Sequence, residues 1–217
     1  RQRQMCIRDS DTLTDTLRAL SADGAVHGVL LLRPLPEALR AQEMLDTLDA
    51  RKDVDGMTTA SLGALVTGAA GFAPCTAEAC MELLRAHGID PAGRRVTVVG
   101  RSLVIGRPAA LLLTRADATV TLCHRKTPDL AARCRDADIL LAAAGAPGLI
   151  TTDFVRPGQI VLDAGATALP DGTLRGDVAP DAAAIAVCTP VPGGIGSVTT
   201  ALLLRHTVQA AENLRHF

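Results

Sequence analysis

Five short apolar runs, separated by helical stretches, constrain the fold of this 217-residue chain more than any other feature. Runs of four or five residues without polar alternation are typical of strands that are buried on both faces of a parallel sheet. A helix between successive strands supplies the crossover that parallel pairing requires. The sequence therefore predicts an α/β domain with a doubly wound parallel sheet of the nucleotide-binding type. The predicted strands are residues 96–100, 119–123, 139–143, 160–163 and 184–188.

The remaining apolar residues recur at helical spacing. This pattern predicts helices over 11–21, from 36 to before 52, from 76 to 87, over 108–115 and over 198–214. We expect Thr76 to cap the third of these helices, since a threonine oxygen can accept from the first backbone N–H groups of a helix. A short apolar run at 28–32 predicts one further strand before the prolines that follow it.

Composition excludes several classes of protein. Lys and Arg number 22 and Asp and Glu 23, so the net charge of −1 does not favour nucleic acid or an anionic membrane as a partner. The chain has no Trp, no Tyr and three Phe, which leaves almost no rings for stacking nucleobases. Its longest apolar run, 139–150, is much shorter than the roughly 20 residues that span a bilayer. We therefore expect no nucleic-acid or membrane partner, and a cytoplasmic location.

Metal-binding motifs are also missing from the sequence. The six cysteines form no C-x-x-C pair and no cluster with histidine at the spacing of a zinc site. We expect these cysteines to be free thiols, and we assign no residue to a metal.

A candidate phosphate-binding loop follows the first predicted strand. It runs from Gly100 to Pro108, where a helix is expected to begin. Glycine permits a tight turn at 100, and the N-terminus of a helix offers unpaired N–H groups to an anion. The spacing is not G-x-G-x-x-G, so this junction by itself is equally compatible with a structural turn.

The end of the second predicted strand carries more information. In this architecture, the residue that meets the adenosine ribose lies there, and it is usually acidic where NAD is bound. This chain has His124, Arg125 and Lys126 instead, and a cationic cluster suits the 2′-phosphate of NADP. Arg101 supplies a second candidate contact with that phosphate. The alternative interpretation is a solvated basic turn.

Taken together, the motifs of this chain resemble those of the bifunctional methylenetetrahydrofolate dehydrogenase/cyclohydrolase (FolD) family. They occur in family order over nearly everything after residue 20, and their combination is far more specific than any one motif. The matching segments are HGVLLLRPLP (27–36), KDVDG (52–56), FAPCT (72–76), GRSLVIGRP (100–108), TVTLCHRKT (119–127), ADILLAAAGAPG (137–148), RPGQIVLDAG (156–165), RGDV (175–178) and TPVPGGIGSVT (189–199).

The resemblance implies a Rossmann-type NADP-binding domain and a smaller, truncated α/β domain on the folate side. On this basis we expect the folate-side domain at 11–88, the NADP-binding domain at 89–195, and at 196–217 a C-terminal helix that returns to the first domain. Residues 1–10 match nothing in the family and are expected not to be native. The resemblance also implies a homodimer.

The implied chemistry is oxidation of the methylene bridge of methylenetetrahydrofolate by hydride transfer to NADP. Water then opens the methenyl product to formyltetrahydrofolate. By the match, Asp55 is the catalytic-site acid that holds the pterin. The other implied substrate contacts are Pro34, Pro192, Gly193 and Gly194. The implied cofactor contacts are Gly100, Arg101, Ser102, Arg125 and Ala166.

Two departures from the family pattern bear on activity. The family's catalytic lysine, with a tyrosine one helical turn earlier, has no counterpart, because the chain has only Lys52 and Lys126 and no tyrosine. We therefore expect the chain to be an N-terminally incomplete copy that is itself inactive for this reason. The glutamine that assists this lysine is replaced by Leu32, which cannot form hydrogen bonds through its side chain. This replacement puts the cyclohydrolase step in question.

Two alternatives remain open at this point. The chain could be a non-catalytic relative that binds the cofactor or forms dimers and has lost the catalytic lysine. It could also be another two-domain NADP dehydrogenase of the shikimate type, although KDVDG and PVPGG argue against that assignment.

Overall fold

The computed structural model describes residues 10–32, 35 and 42–215. Contacts between Cα atoms divide the chain into two compact units, one comprising Arg1–Ala73 with Leu203–Phe217 and the other Pro74–Leu202. The helices are α1 (Ser10–Ala22), α2 (Gln42–Leu45), α3 (Thr59–Thr67), α4 (Cys75–Ala86), α5 (Gly106–Arg115), α6 (Leu130–Asp136), α7 (Pro180–Ile185) and α8 (Ile195–Arg215). The strands are β1 (Arg95–Val99), β2 (Thr119–Cys123), β3 (Ile139–Ala142), β4 (Ile160–Asp163), β5 (Thr167–Ala168), β6 (Leu174–Arg175) and β7 (Val187–Cys188).

The second unit is built on a five-stranded parallel sheet with the order β2-β1-β3-β4-β7. All four residues of β3 are buried, as expected for an apolar strand at the centre of a sheet covered on both faces. The α/β class and the parallel sheet predicted from the sequence are therefore confirmed. The chain order reverses between β1 and β3, and this is the point where ligands bind in open parallel sheets.

Strand register places the following loops at one level. Val99 pairs with Cys123 and with Ala142, and Ala142 pairs with Asp163. The loops after β1, β2, β3 and β4 consequently all leave the same edge of the sheet. This edge carries most of the residues that the sequence analysis assigned to the cofactor.

The predicted strand boundaries differ from the structure mainly at the last strand. The prediction began this strand at Ala184, but Ala184 and Ile185 lie in α7, which has Pro180 in its first turn. Proline is well accommodated at a helix start, and the alanines that follow it favour helix. Only Val187 and Cys188 are left to pair with β4. The two-residue strands β5 and β6, which form an antiparallel hairpin, were not predicted.

Three helix starts in the second unit also differ from prediction, of which that of α5 is at Gly106 and not at residue 108. Pro74 occupies the N-cap position of α4, so the predicted capping role of Thr76 is wrong. Thr76 lies inside the helix instead, because Pro74 already terminates the preceding extended segment and its fixed φ of −53° leads directly into the first turn. Helix α8 begins at Ile195, before its predicted start at residue 198.

The first unit is mainly helical over its described residues. Leu13 and Leu17 of α1 are buried on one face, as predicted. The run at 28–32 forms no extended strand there, only an isolated parallel bridge between Val29 and Asp53. The predicted helix from residue 36 is described only as α2, and residues 36–41 lie outside the described part. Helix α3 was not predicted; Thr58 caps it by accepting from the N–H of Ser61 at 3.1 Å.

The domain limits expected at 88/89 and 195/196 stay predictions. In the described part of the chain, no helix is both long enough and apolar enough to cross a membrane.

Candidate functional site

The loop after β1 packs directly against the loop after β3. The N–H of Gly100 donates to the carbonyl oxygen of Cys123 at 2.9 Å, and the N–H of Ala143 donates to that of Val99 at 2.8 Å. A Cβ atom on Gly100 would overlap the carbonyl group of Ala143, and the φ of Gly100 is +125°. Position 100 therefore requires glycine for both steric and torsional reasons.

Helix α5 starts immediately beneath this loop. A Cβ atom on Gly106 would lie 2.6 Å from the carbonyl carbon of Gly100, so the first turn of the helix contacts the end of β1. Ser102 links the loop to the start of α5, because its Oγ accepts from the N–H of Ile105 at 3.2 Å. The positive end of the α5 dipole thus faces the crevice at the reversal of strand order.

The segment after β2 is a compact basic turn. The N–H of His124 donates to Oγ1 of Thr127 at 2.9 Å, and the N–H of Thr127 donates to the carbonyl oxygen of His124 at 2.8 Å. The ring Nδ1 of His124 accepts from the N–H of Lys126 at 3.2 Å. These bonds hold the backbone of the turn and leave the side chains of Arg125 and Lys126 exposed.

Three cations at this edge have no carboxylate partner among the residues that the structure describes. Arg101, Arg125 and Lys126 are exposed, and none of them enters an ion pair within the part of the chain that the structure describes. Val99 and Cys123 are paired in the sheet, and Arg101 and Arg125 each follow by two residues. The residues present therefore fit a dinucleotide phosphate: unneutralised guanidinium groups lie beside a helix N-terminus and a glycine that permits close approach.

A cavity of about 430 Å³ lies entirely within the second unit. Its walls are the turn after β4 and the turn that leads into α8, with Ile105 and Leu174 at its margin. It brings together four residues that the sequence analysis assigned to the cofactor or the substrate, namely Ala166, Pro192, Gly193 and Gly194. The peptide bond between Val191 and Pro192 is cis.

A second cavity of about 610 Å³ lies between the end of α4 and α5. It is lined mainly by apolar side chains and contains none of the predicted site residues. Size alone therefore does not identify the functional site in this unit.

In the first unit, Lys52 and Asp53 of the KDVDG segment are buried and have structural contacts. Nζ of the buried Lys52 donates to the carbonyl oxygens of Leu20, Ser21 and Asp23 at 3.1, 2.6 and 2.8 Å. It therefore satisfies carbonyl groups at and just beyond the C-terminus of α1. The buried carboxylate of Asp53 accepts from the backbone N–H of Thr58 and from the hydroxyl of Ser61, each at 2.7 Å.

The residues on either side of Asp55, Val54 and Gly56, are also fixed by close contacts. Nδ1–H of the buried His206 donates to the carbonyl oxygen of Val54 at 2.9 Å, and the His206 ring stacks on Phe72 with centroids 4.7 Å apart. On the other side, a Cβ atom on Gly56 would lie 2.5 Å from the carbonyl oxygen of Phe72. Asp55 itself is half-buried. The backbone that carries its carboxylate is thus set by contacts on both sides.

Two further positions, 32 and 34, were matched to the substrate side of the family. Leu32 is 63% exposed and offers no polar atom on its side chain. Pro34 lies outside the described residues.

Sequence reasoning missed two buried acids at the edge of the sheet. Asp163 ends β4 and Asp177 follows β6, and they are 4% and 0% exposed. Burial raises the pKa of the Asp163 carboxyl, an effect that its three bonds from backbone N–H groups oppose. An acid directly after an apolar strand was the available signal, since a buried carboxylate needs hydrogen-bond donors.

Comparisons of the sequence with known proteins all point to one family. Residues 74–215 match the family model described as tetrahydrofolate dehydrogenase/cyclohydrolase, NAD(P)-binding domain. Bifunctional protein FolD 1 of Rhodococcus jostii is 52% identical over 206 residues, which cover 93% of this chain and 69% of that protein. Bifunctional protein FolD of Parafrankia is 51% identical over 205 residues, which cover 94% of this chain and 74% of that protein.

Solved structures agree with these sequence matches. The bifunctional FolD enzyme of Campylobacter jejuni is 39% identical with a TM-score of 0.90, and the match covers 95% of this chain and 74% of that one. The Trypanosoma brucei enzyme, solved in complex with NADP cofactor and an inhibitor, is 36% identical with a TM-score of 0.88, with coverage of 95% and 73%. This chain belongs to the tetrahydrofolate dehydrogenase/cyclohydrolase family.

Proposed function

We propose that this protein oxidises methylenetetrahydrofolate to methenyltetrahydrofolate with NADP as the hydride acceptor. The observation that carries this proposal is the cationic edge formed by Arg101, Arg125 and Lys126, beside the glycine-dependent start of α5. NAD, which has a 2′-hydroxyl on its adenosine ribose, is usually met there by an acid, whereas the 2′-phosphate of NADP is a further anion that cationic side chains stabilise. Family membership and relatives named as bifunctional FolD proteins support the same activity.

On the cofactor side, each predicted residue has a distinct task. Arg125 and Arg101 would hold the 2′-phosphate, and the backbone at Gly100 and Ser102 would face the diphosphate. Ala166, in the wall of the 430 Å³ cavity, would contact the remainder of the dinucleotide through its backbone. NADP supplies the hydride-accepting ring when bound. The chain orients that ring and keeps water away from it.

On the substrate side, Asp55 would bind the pterin. A carboxylate offers two acceptor oxygens, and the pterin edge presents a parallel pair of N–H donors. Pro34 and the turn at Pro192, Gly193 and Gly194 are the other proposed substrate contacts. We assign the subsequent hydrolysis to formyltetrahydrofolate as a second activity, which is expected to be weak because Leu32 supplies no hydrogen bond there.

The first test is a fluorescence titration of the 217-residue chain with NADPH and with NADH. The chain has no Trp or Tyr, so protein emission contributes little background. We expect NADPH to bind more tightly, and Arg125→Ala to weaken NADPH by tenfold to a hundredfold, since a charge-assisted bond contributes about 1.5–3 kcal/mol. NADH affinity should stay unchanged.

Arg115→Ala is the matched control. Arg115 is an exposed arginine at the other end of α5, and its removal should leave both affinities unchanged. Equal affinity of the unmodified chain for the two nucleotides, or no binding by a folded sample, would refute NADP specificity.

The catalytic proposal needs a separate assay. The protein used for this assay includes any residues that its gene encodes before Arg1. It is given methylenetetrahydrofolate and NADP, and the formation of NADPH is followed. Binding of both ligands without hydride transfer would instead favour the non-catalytic alternative.

A homodimer and a cytoplasmic location complete the proposal. The five cysteines within the described residues are free thiols, which suits a reducing compartment. Light scattering on the purified chain tests the dimer, and subcellular fractionation tests the location.

A further inference from the structure

The carboxylate of Asp177 fills a concavity made by three successive backbone N–H groups in the loop after β3. Its Oδ2 accepts from Ala144 at 2.6 Å and from Gly145 at 3.0 Å, and its Oδ1 accepts from Ala146 at 2.8 Å. Successive N–H groups that converge on one point form a nest that binds phosphate or carboxylate. In this loop the anion is a side chain of the protein, and it is fully buried.

Asp163 repeats the arrangement one step away. Its Oδ1 accepts from the N–H groups of Gly165 and Asp177, and its Oδ2 accepts from that of Val178, all at 2.9 Å. One of these three donors is the backbone of Asp177 itself. The two carboxylates therefore link the end of β4 to the loop after β3 through a continuous set of buried hydrogen bonds.

Two glycines leave the space that these carboxylates occupy. A Cβ atom on Gly165 would lie 2.6 Å from Oδ1 of Asp177, and one on Gly176 would lie 2.7 Å from Cγ of Asp163. Both distances are far inside van der Waals contact. The backbone at 165 and 176 is consequently packed against the two acids, so their positions are coupled sterically as well as through hydrogen bonds.

The linked segments form two walls of the candidate site. The loop after β3 contacts Gly100 through the carbonyl group of Ala143, and the turn after β4 lines the 430 Å³ cavity with Gly165 and Ala166. We propose that Asp177, supported by Asp163, is a positioning residue that holds these two walls at the spacing needed for the dinucleotide. This inference rests on the proposed cofactor function, but its central claim, that Asp177 orders the nest, does not need a bound nucleotide.

The first experiment replaces the carboxylate and then returns it as a small ion. In Asp177→Ala, the dissociation constants of NADPH and NADH should rise by the same factor, of at least tenfold, because both nucleotides use the same walls. Arg125→Ala differs in affecting NADPH alone. Formate, which has the dimensions of the missing group, should restore binding in Asp177→Ala, whereas chloride at equal ionic strength should not. Asp181→Ala, which removes an exposed acid on α7, is the matched control and should change neither affinity.

The second experiment uses the nucleotide-free chain. Amide hydrogen exchange at residues 144–146 should accelerate at least tenfold in Asp177→Ala, and formate should reverse the change. If the unmodified chain fails to bind NADPH, the proposed function fails, yet the exchange result still decides the role of Asp177. If Asp177→Ala does not fold, Asp177→Asn serves, because it retains one acceptor oxygen and should show a smaller acceleration.

Two results would overturn the inference. One is unchanged exchange at 144–146 in a folded Asp177 variant. The other is weakened nucleotide binding that formate does not restore, which would indicate general destabilisation in place of a specific anion in the nest.

Discussion

Replacing Gly100 with alanine tests whether the contact between the loops after β1 and β3 is as close as the structure indicates. A Cβ atom at this position would lie 2.6 Å from the carbonyl carbon of Ala143, against 3.4–4 Å in ordinary contact. Its neighbours there are backbone atoms, which cannot rotate away as a side chain would. The two loops would therefore have to separate by about 1 Å.

The expected cost has a steric and a torsional part. Forcing an extra methyl group into a packed site costs about 1–3 kcal/mol. A φ of +125° is unfavourable for alanine by a further ~1–3 kcal/mol. We expect Gly100→Ala to lower the free energy of unfolding of the second unit by about 4 kcal/mol. Because the same loop faces the proposed diphosphate, the dissociation constant of NADPH should rise at least tenfold.

Gly148→Ala separates the two contributions. Gly148 lies in the loop after β3, has a φ of +70°, and has open space where its Cβ would be. It should cost only about 1 kcal/mol, which is the torsional part alone. Urea unfolding followed by far-UV circular dichroism measures both variants, since the chain has no Trp or Tyr for fluorescence. If the two variants are equally stable, the steric argument for Gly100 is wrong.

Three other outcomes can be checked in the same way. Lys52→Met should destabilise the first unit by about 3 kcal/mol in urea unfolding, because three carbonyl groups lose their donor, while Arg18→Met at an exposed site should have no effect. Burial raises the pKa of the thiols of Cys80 and Cys134 from the ordinary thiol value of 9.0 to about 12. Above pH 9 the native chain therefore keeps two protons that the unfolded chain releases. Unfolding free energy should therefore fall with rising pH above 9, by about 1.4 kcal/mol per pH unit for each thiol, and Cys80→Ala should reduce the slope. Gln159→Glu should destabilise the second unit by at least 2 kcal/mol in urea at pH 7, because the side-chain Nε2 of this buried residue donates to two carbonyl oxygens that would then face a carboxylate.

The parallel sheet was predictable because most of its strands coincide with apolar runs that lack polar alternation. Helix α3 was not, since its apolar residues are spread around the helix and Gly63 interrupts them. The hairpin of β5 and β6 was missed because two-residue strands carry no periodicity. The strand prediction at 184–185 failed because an alanine-rich segment after a proline is also a good helix.

Part of the geometry of the candidate site was predictable in the same way, while the roles of its residues stay predictions. The glycine at 100 and the basic residues at 101 and 125 follow strands, and strand ends can be read from the sequence. The tasks of Asp163 and Asp177 could not be read in this way. Their partners are almost entirely backbone N–H groups, and the sequence does not show where backbone N–H groups converge.

The division of the chain into units bears on the order in which it folds during synthesis. The second unit is one continuous stretch, Pro74–Leu202, whereas the first is completed only by residues from Leu203 onward. The bond from His206 to the carbonyl of Val54 joins residues 152 positions apart. On a ribosome, the later segment of sequence is therefore complete as a folding unit before the earlier one. Until α8 has emerged, the carbonyl group of Val54 and the ring of Phe72 lack the contacts that His206 supplies.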